Sequence, residues 1–399
     1  MFKLPIIPRS LLILLACWIP GAGLFADVIT VGDDPGCDFA ELQDAIDAAW
    51  DGGFIRVNSG WHGRAVGYNI HQKSLTVTGG YVKCWGPRIG ITTLYSEGES
   101  HALSIRSLDK RAQVRLVNLE ISGARPEAPE KRVTAGVSIT GDVDVEMDRV
   151  RVHHGSAANG AGVTLYALEV GISERRPTLS LIDSHLSSNR ASNGGGGLSC
   201  RRANVAITNT TFFANGASAG AGALFSDCEV AVDGGAGPLR LISNSADRVG
   251  GGLMLTDSRL TATAGENGRP SVVAEGNWAG LRGGAVHVAA NSRFEVDGLR
   301  FEDNTAVWYG GALHATESTV RLGQGLGSCW TSAGCQILEG NLAGQQGGAL
   351  YLVDTFAAVD QVRARDNLGL LGGGSFASVL ADSNATFRNL VATKHRGKT

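Results

Sequence analysis

Four carboxylates alternate with apolar residues in one short stretch: Asp142, Asp144, Glu146 and Asp148 are separated by Val143, Val145 and Met147. Alternation with period two places the acids on one face of a strand and the apolar side chains on the other. Arg149 and Arg151 follow at once, and His153 and His154 lie just beyond. Carboxylates in a row are donors for Ca2+, so Asp142, Asp144 and Glu146, with Arg149 beside them, are the candidates for a catalytic site. Ca2+ needs about six to eight oxygens converging on one point. Outward residues of one strand stand ~6.5 Å apart and fan out, so neighbouring chain, for example Glu120, would have to complete the shell. Without such partners the stripe is a solvated strand face, and that is the reading adopted.

A second set is aromatic. Phe225, Met254, His287, His314 and Tyr351 each follow the last residue of a recurring Gly-rich segment. If Leu224, Leu253, Val286, Leu313 and Leu350 point inward, these five form an outward column. Trp278, Trp308 and Tyr309 fall in neighbouring turns. Exposed rings in a row could stack on sugars or form a protein contact patch. That makes Trp278, Trp308, Tyr309, His287, His314 and Tyr351 the candidates for ligand binding. The competing reading is cover by adjacent loops, or stacking between coils. His287 and His314 would stand one coil step apart, ~4.8 Å. No carboxylate or cysteine joins them, so no metal is expected.

Six cysteines lie beyond Cys17: Cys37, Cys84, Cys200, Cys228, Cys329 and Cys335. An even count suits disulfides in an exported chain. Proximity of neighbouring coils favours Cys37–Cys84, Cys200–Cys228 and Cys329–Cys335, against a mixture of free buried thiols. No Cys-x-x-Cys pair is present, which argues against a metal.

These candidates hang on a repeat. Aligned on asparagine, seven segments share one pattern, beginning at Asn189, Asn215, Asn244, Asn277, Asn304, Asn341 and Asn367. Each Asn precedes a Gly-rich step by six residues, and the Asn residues are 26, 29, 33, 27, 37 and 26 apart. A fixed core with variable spacing is what a β-solenoid produces, with insertions leaving at one corner. The insertions are Gly171–Pro177, Asp233–Pro238, Gly265–Pro270 and Gly323–Cys335, all on one edge. That edge either displays binding loops or merely tolerates insertion. Stacked asparagines at ~4.8 Å can bond one another and the turn backbone, so their role is structural. The stretches Val114–Ser122 and Val143–His154 read as earlier, degenerate coils. The clear repeats occupy about 180–380, within one domain over 27–399.

A solenoid needs caps at its ends. Residues 38–49 form an amphipathic helix with Phe39, Leu42, Ile46 and Ala49 on its apolar face, so the cap spans about 37–53. Asp38 as N-cap and Glu41 three residues on make a capping box. At the other end, Ala385–Leu390 reads as a last strand, and no cap is visible. That coil either pairs with another chain, as in an oligomer, or frays. Residues 1–26 read as a signal peptide: Lys3 and Arg9 precede a short apolar run, and cleavage after Ala26 fits. Leu14-Leu15-Ala16-Cys17 offers lipidation at Cys17 as an alternative. No later segment is apolar for long enough to span a bilayer.

The formal charge is −3 over 399 residues, and 43% of them are hydrophobic. That balance supplies no basic stripe for nucleic acid. Fifty-six glycines against ten prolines point to many tight turns rather than disorder.

Residues 38–57 followed by Ser74–Tyr81 resemble the opening of pectin-lyase-like β-helices. The later repeats resemble those of chlamydial polymorphic outer membrane proteins. Gly283–Val286, Gly310–Leu313 and Gly347–Leu350 match their Gly-Gly-Ala-(Ile/Leu/Val) motif. Phe212–Asn215 and Phe301–Asn304 match Phe-x-x-Asn. The resemblance implies an all-β, right-handed single-stranded parallel β-helix with a short N-terminal capping helix. It also implies an adhesive protein, secreted or associated with the outer membrane and cell surface, that contacts a glycan or another cell. This chain departs from that family in lacking a C-terminal membrane barrel. Pectate lyases of this fold use outward carboxylates for Ca2+ and an arginine as base, so a polysaccharide lyase or hydrolase is the alternative. No lyase or polygalacturonase motif is recognised in the acidic stripe. The expectation is therefore a non-enzymatic protein without a cofactor, Ca2+ entering only under the lyase alternative.

Overall fold

A computed structural model describes residues 28–98, 101–125, 128–132, 135–168, 176–265, 268–323, 336–371 and 375–393. The chain winds into a right-handed parallel β-helix whose coils contribute strands to three parallel sheets of 22, 12 and 8 strands. One coil shows the plan. Leu198–Arg201 and Asn204–Thr208 both belong to the first sheet, Thr211–Phe213 to the second and Gly216–Ala219 to the third. Each strand pairs in parallel with its counterpart one coil on, as in Val205↔Val230 and Phe212↔Leu241. The inward residues stack into one continuous apolar core, with Val205, Ile207 and Phe212 at most 2% exposed. The 12 strands of the second sheet give 11 coil-to-coil steps, a rod on the order of 50 Å long.

Corners are made by single residues in the left-handed region. In this coil they are Arg202, Asn209 and Ala214, with φ of 54°, 42° and 51°, and then Gly220 at 54°. The Gly-Gly step divides two jobs. Gly310 has φ 65°, where a side chain is strained, and a Cβ on Gly311 would collide with the carbonyl of Gly348 one coil away.

The asparagines form a ladder through the core of the turn. Asn244 Nδ2 donates to Phe212 O and to Asn277 Oδ1, both at 3.0 Å, and its backbone N–H also donates to Asn277 Oδ1 at 3.0 Å. The same triplet recurs from Asn189 to Asn341, and Asn367 closes the series. All seven are buried. Disulfides join Cys37 to Cys84 and Cys200 to Cys228. Cys329 and Cys335 lie outside the described residues, as do parts of the insertions at 171–177 and 323–335.

Three local expectations are corrected. The capping helix runs only over Leu42–Ala48, and Glu41 stands at its N-cap without a side-chain bond. Asp38 instead accepts hydrogen bonds from Thr30 N and Oγ1 at 2.9 and 2.8 Å, while Phe39 bridges Val31. This segment lies extended along the first strand, so no capping box forms.

The second correction concerns the coil at Asn215, which is one residue shorter than its neighbours. Its left-handed glycine, Gly220, comes five residues after the Asn, whereas Gly250 comes six after Asn244. Ala223 therefore pairs with Leu253, and Leu224 with Met254. A slip of one residue exchanges the two faces, so Leu224 points outward and Phe225 is fully buried.

The third is the C-terminal end. It holds two short strands, Asn384–Arg388 and Val391–Thr393, in different sheets. Val379, Leu380, Leu390 and Val391 are exposed there. No described helix is long and apolar enough to cross a membrane.

Candidate functional site

The acidic stripe is an ion-pair ladder. Arg111 reaches Asp142 at 2.6 Å and grips both oxygens of Asp144. Arg115 reaches Glu146 at 2.7 Å and Asp148 at 3.2 Å, and Arg149 holds Asp148 at 2.8 Å. Glu146 stands in register with Arg115 one coil back. The carboxylates hold the Arg111 guanidinium above its ordinary range, Asp144 contributing most. With every acid of the stripe paired to an arginine, the arrangement fits charge compensation on a strand face better than a cation site.

The aromatic column is present in register, Met254↔His287↔His314↔Tyr351, but it is not an exposed surface. His287, His314 and Tyr351 are only 5%, 2% and 8% exposed. The Gly-Gly bend brings the preceding residue over them. Tyr309 stacks on Tyr351 at 4.4 Å, His314 on Tyr351 at 5.3 Å, and the two imidazoles are 4.9 Å apart. Burial, with the Arg282 charge adding to it, lowers His287 to about 4. Burial, His287 and Arg282 lower His314 to about 2. Neutral rings packed this way serve the corner. Trp278 and Trp308 remain exposed beside it, and Trp308 meets Tyr309 edge-on at 6.4 Å. Among the described residues no three His, Cys, Asp or Glu converge on a metal position.

Polar chemistry gathers instead on the outer face of the second sheet. One row in register reads Trp61, Thr93, Glu120, Arg151, His185, Thr211, Arg240. The row beside it reads Tyr95, Ser122, His153, Ser187, Phe213. A cavity of ≈ 780 Å³ lies here, lined among others by Ile91, Glu120, Arg151, His153, His154 and His185. A second, of ≈ 570 Å³, is lined by Arg240, Arg269, Glu275, Arg300, Glu302 and the loop from Gly234 to Pro238. Asn209 borders both, so the two form one groove along the solenoid. The insertions at 233–238 and 265–270 thus share one wall, through Pro238 and Pro270.

Within the groove, His153 Nε2 is 3.1 Å from Glu120 Oε1, and its Nδ1 is 2.6 Å from His154 Nδ1. Thr93 donates to the same Glu120 oxygen at 3.4 Å. The carboxylate decides the tautomers: His153 donates from Nε2, so its Nδ1 accepts from the N–H of His154. The hydrogen bond from His153 lowers the Glu120 carboxyl below its usual range against the effect of burial. Burial, then Arg151 and His153, lowers His185. Aromatic faces flank these polar groups. Trp61 meets Tyr95 edge-on at 5.8 Å, and His185 lies 6.2 Å from Phe213. At the far end Arg300 pairs with Glu302 at 2.7 Å. Planar polar side chains between rings are what an extended, hydroxyl-rich ligand requires.

No protein-family model matches the sequence, and no curated protein matches it. Two solved structures are similar over much of the chain. One is YbhC of Escherichia coli, at 11% identity and a TM-score of 0.34, covering 80% of this chain and 75% of that one. The other is the pectin methylesterase of Aspergillus niger in its deglycosylated form, at 11% identity and a TM-score of 0.26, covering 92% and 85%. Likeness at this level assigns the chain no activity.

Proposed function

We propose that the protein is an exported, non-catalytic β-helix that binds an extended carbohydrate chain along the groove of the second sheet. The observation that carries this reading is the groove itself, lined by Glu120, Arg151, His153 and His185, with the rings of Trp61, Tyr95 and Phe213 continuing the same two rows of the sheet beyond it. Two joined cavities suit a chain rather than a compact small molecule. Disulfides are compatible with export, and the repeats' resemblance to those of outer membrane proteins agrees with a role at a cell surface. The lyase alternative has less support, because the acids that would hold Ca2+ are bound to Arg111, Arg115 and Arg149.

The test is a glycan array with the wild-type chain and the Trp61→Ala and Arg151→Ala variants. Retention of a set of oligosaccharides by the wild type, weakened by both substitutions, is expected. An array that stays blank, or one on which both variants bind as the wild type does, overturns the proposal. Trp308→Ala, outside the groove, is the control and should bind normally.

A further inference from the structure

The segment between the strands Leu75–Tyr81 and Thr92–Ser96 leaves the second coil as a short excursion. Its sequence is Val82-Lys83-Cys84-Trp85-Gly86-Pro87-Arg88-Ile89-Gly90-Ile91. It is closed on itself, Gly86 N donating to Lys83 O at 3.0 Å and Val82 N to Pro87 O at 3.0 Å. One residue, Cys84, is buried, and its disulfide to Cys37 pins the loop to the cap segment. Nearly everything else faces solvent. Ile89 is 78% exposed, Trp85 63%, Ile91 54% and Val82 43%. Lys83 and Arg88 are exposed among them, and no Asp or Glu occurs from Tyr81 to Ser96. Trp85 is held from below by the guanidinium of Arg56, 5.7 Å from its ring.

This is an unusual way to spend an apolar residue. A soluble surface scatters single apolar side chains, whereas this loop gathers four on one short, covalently anchored projection. The two cations set among them select the partner. An uncharged protein surface or a neutral sugar would meet the apolar residues without needing Lys83 and Arg88. The interfacial zone of a bilayer takes all three components. Trp lies at headgroup depth, aliphatic side chains enter the acyl boundary, and Lys and Arg stay at the anionic headgroups. We infer that the 82–91 loop docks the N-terminal end of the solenoid onto an anionic phospholipid surface, with Trp85 and Ile89 inserted and Lys83 and Arg88 at the headgroups. The disulfide pre-orders the loop, so little conformational entropy is lost on binding. Ile91 also borders the larger groove cavity, so docking would set the groove at a fixed height above the membrane.

The test is co-sedimentation of the chain, purified after export and processing, with vesicles of phosphatidylcholine alone and of phosphatidylcholine with phosphatidylglycerol. Binding to the mixed vesicles is expected, with a blue shift of tryptophan emission. It should weaken roughly fivefold for Lys83→Gln or Arg88→Gln and fall with added salt. Ile89→Ser and Trp85→Ser should weaken it by about tenfold or more. These side chains are exposed, so the variants keep the fold, and circular dichroism confirms it. Absence of binding to the mixed vesicles overturns the inference. So does equal binding by wild type and all four variants, or binding of equal strength to the neutral vesicles.

Discussion

Glu120 and His153 sit on adjacent coils of the second sheet, diagonal to each other across the strand register, and their side chains meet at 3.1 Å. The carboxylate fixes the tautomer of His153, and through it the orientation of His154 at 2.6 Å. The pair therefore presents one hydrogen-bonding pattern to the groove instead of several.

Glu120→Gln keeps the shape and removes the charge that orders this chain of rings. If the groove binds carbohydrate through fixed donors and acceptors, affinity for the oligosaccharide retained by the wild type should drop about tenfold, the scale of one lost hydrogen bond to a charged group. Isothermal titration measures it. Unchanged affinity would remove the Glu120–His153–His154 chain from the binding site.

Much of the architecture was legible because the structural residues repeat. The seven asparagines and the Gly-Gly steps announce themselves in every coil, since stacking demands the same group at the same corner. The groove was not legible for the opposite reason. Glu120, Arg151, His185 and Thr211 occupy one row, yet they are 31, 34 and 26 residues apart and share no residue type. In the sequence Glu120 stands as a partner for the acidic stripe and Arg151 as a residue following it, His153 and His154 as a pair beyond it, and His185 and Thr211 give no signal; the structure puts Glu120 with His153 instead. Register is what joins them, and register depends on coil lengths that insertions alter. The aromatic column follows the competing reading, stacking between coils. Its alternation was read correctly at His287, His314 and Tyr351, but outward of a strand is not the same as exposed where the next bend folds Tyr309 across it.

The ladder of asparagines predicts a graded loss of stability. Asn277→Ala removes the Oδ1 that accepts from both Asn244 N and Asn244 Nδ2, at 3.0 Å each. Two buried donors lose their partner, at a cost of about 2–5 kcal/mol. Asn193→Ala, on the exposed face of the strand Arg190–Gly194, should cost about 0.5 kcal/mol or less. Thermal unfolding should separate the two clearly. Equal midpoints would mean the ladder is not the chief polar support of the core.

The buried imidazoles predict a pH dependence. His287 is lowered in the folded state to about 4 from 6.5, and His314 further still. Below 6.5 the unfolded chain binds protons that the folded chain refuses, so stability is full above that pH and falls as the pH drops toward 4. That lowering at His287 corresponds to about 3 kcal/mol by pH 4. His287→Met copies the residue one coil back, Met254, and should flatten the acid limb of a plot of unfolding midpoint against pH. A variant as acid-sensitive as the wild type would show that other groups drive the loss.

The short coil at Asn215 gives the sharpest contrast between pattern and structure. Alignment of the repeats places Leu224 inside and Phe225 outside, but the missing residue before Gly220 reverses them, and Phe225 is 0% exposed. Phe225→Ala should therefore empty a core position beside Cys200 and Leu255, its partners in register, at a cost of about 3–5 kcal/mol. Leu224→Ala, on the outer face, should cost about 1 kcal/mol or less. The order of the two unfolding midpoints decides the matter, because the aligned register and the observed one predict opposite orders. Inserting one glycine after Ser218 is the complementary experiment. It restores the six-residue spacing but leaves Ala223 and Phe225 three and five residues after Gly220, as Leu253 and Leu255 follow Gly250, so Phe225 stays buried. In the inserted chain Phe225→Ala should therefore keep its cost of about 3–5 kcal/mol, and loss of that cost would show that the spacing from Asn215 to Gly220 sets the face.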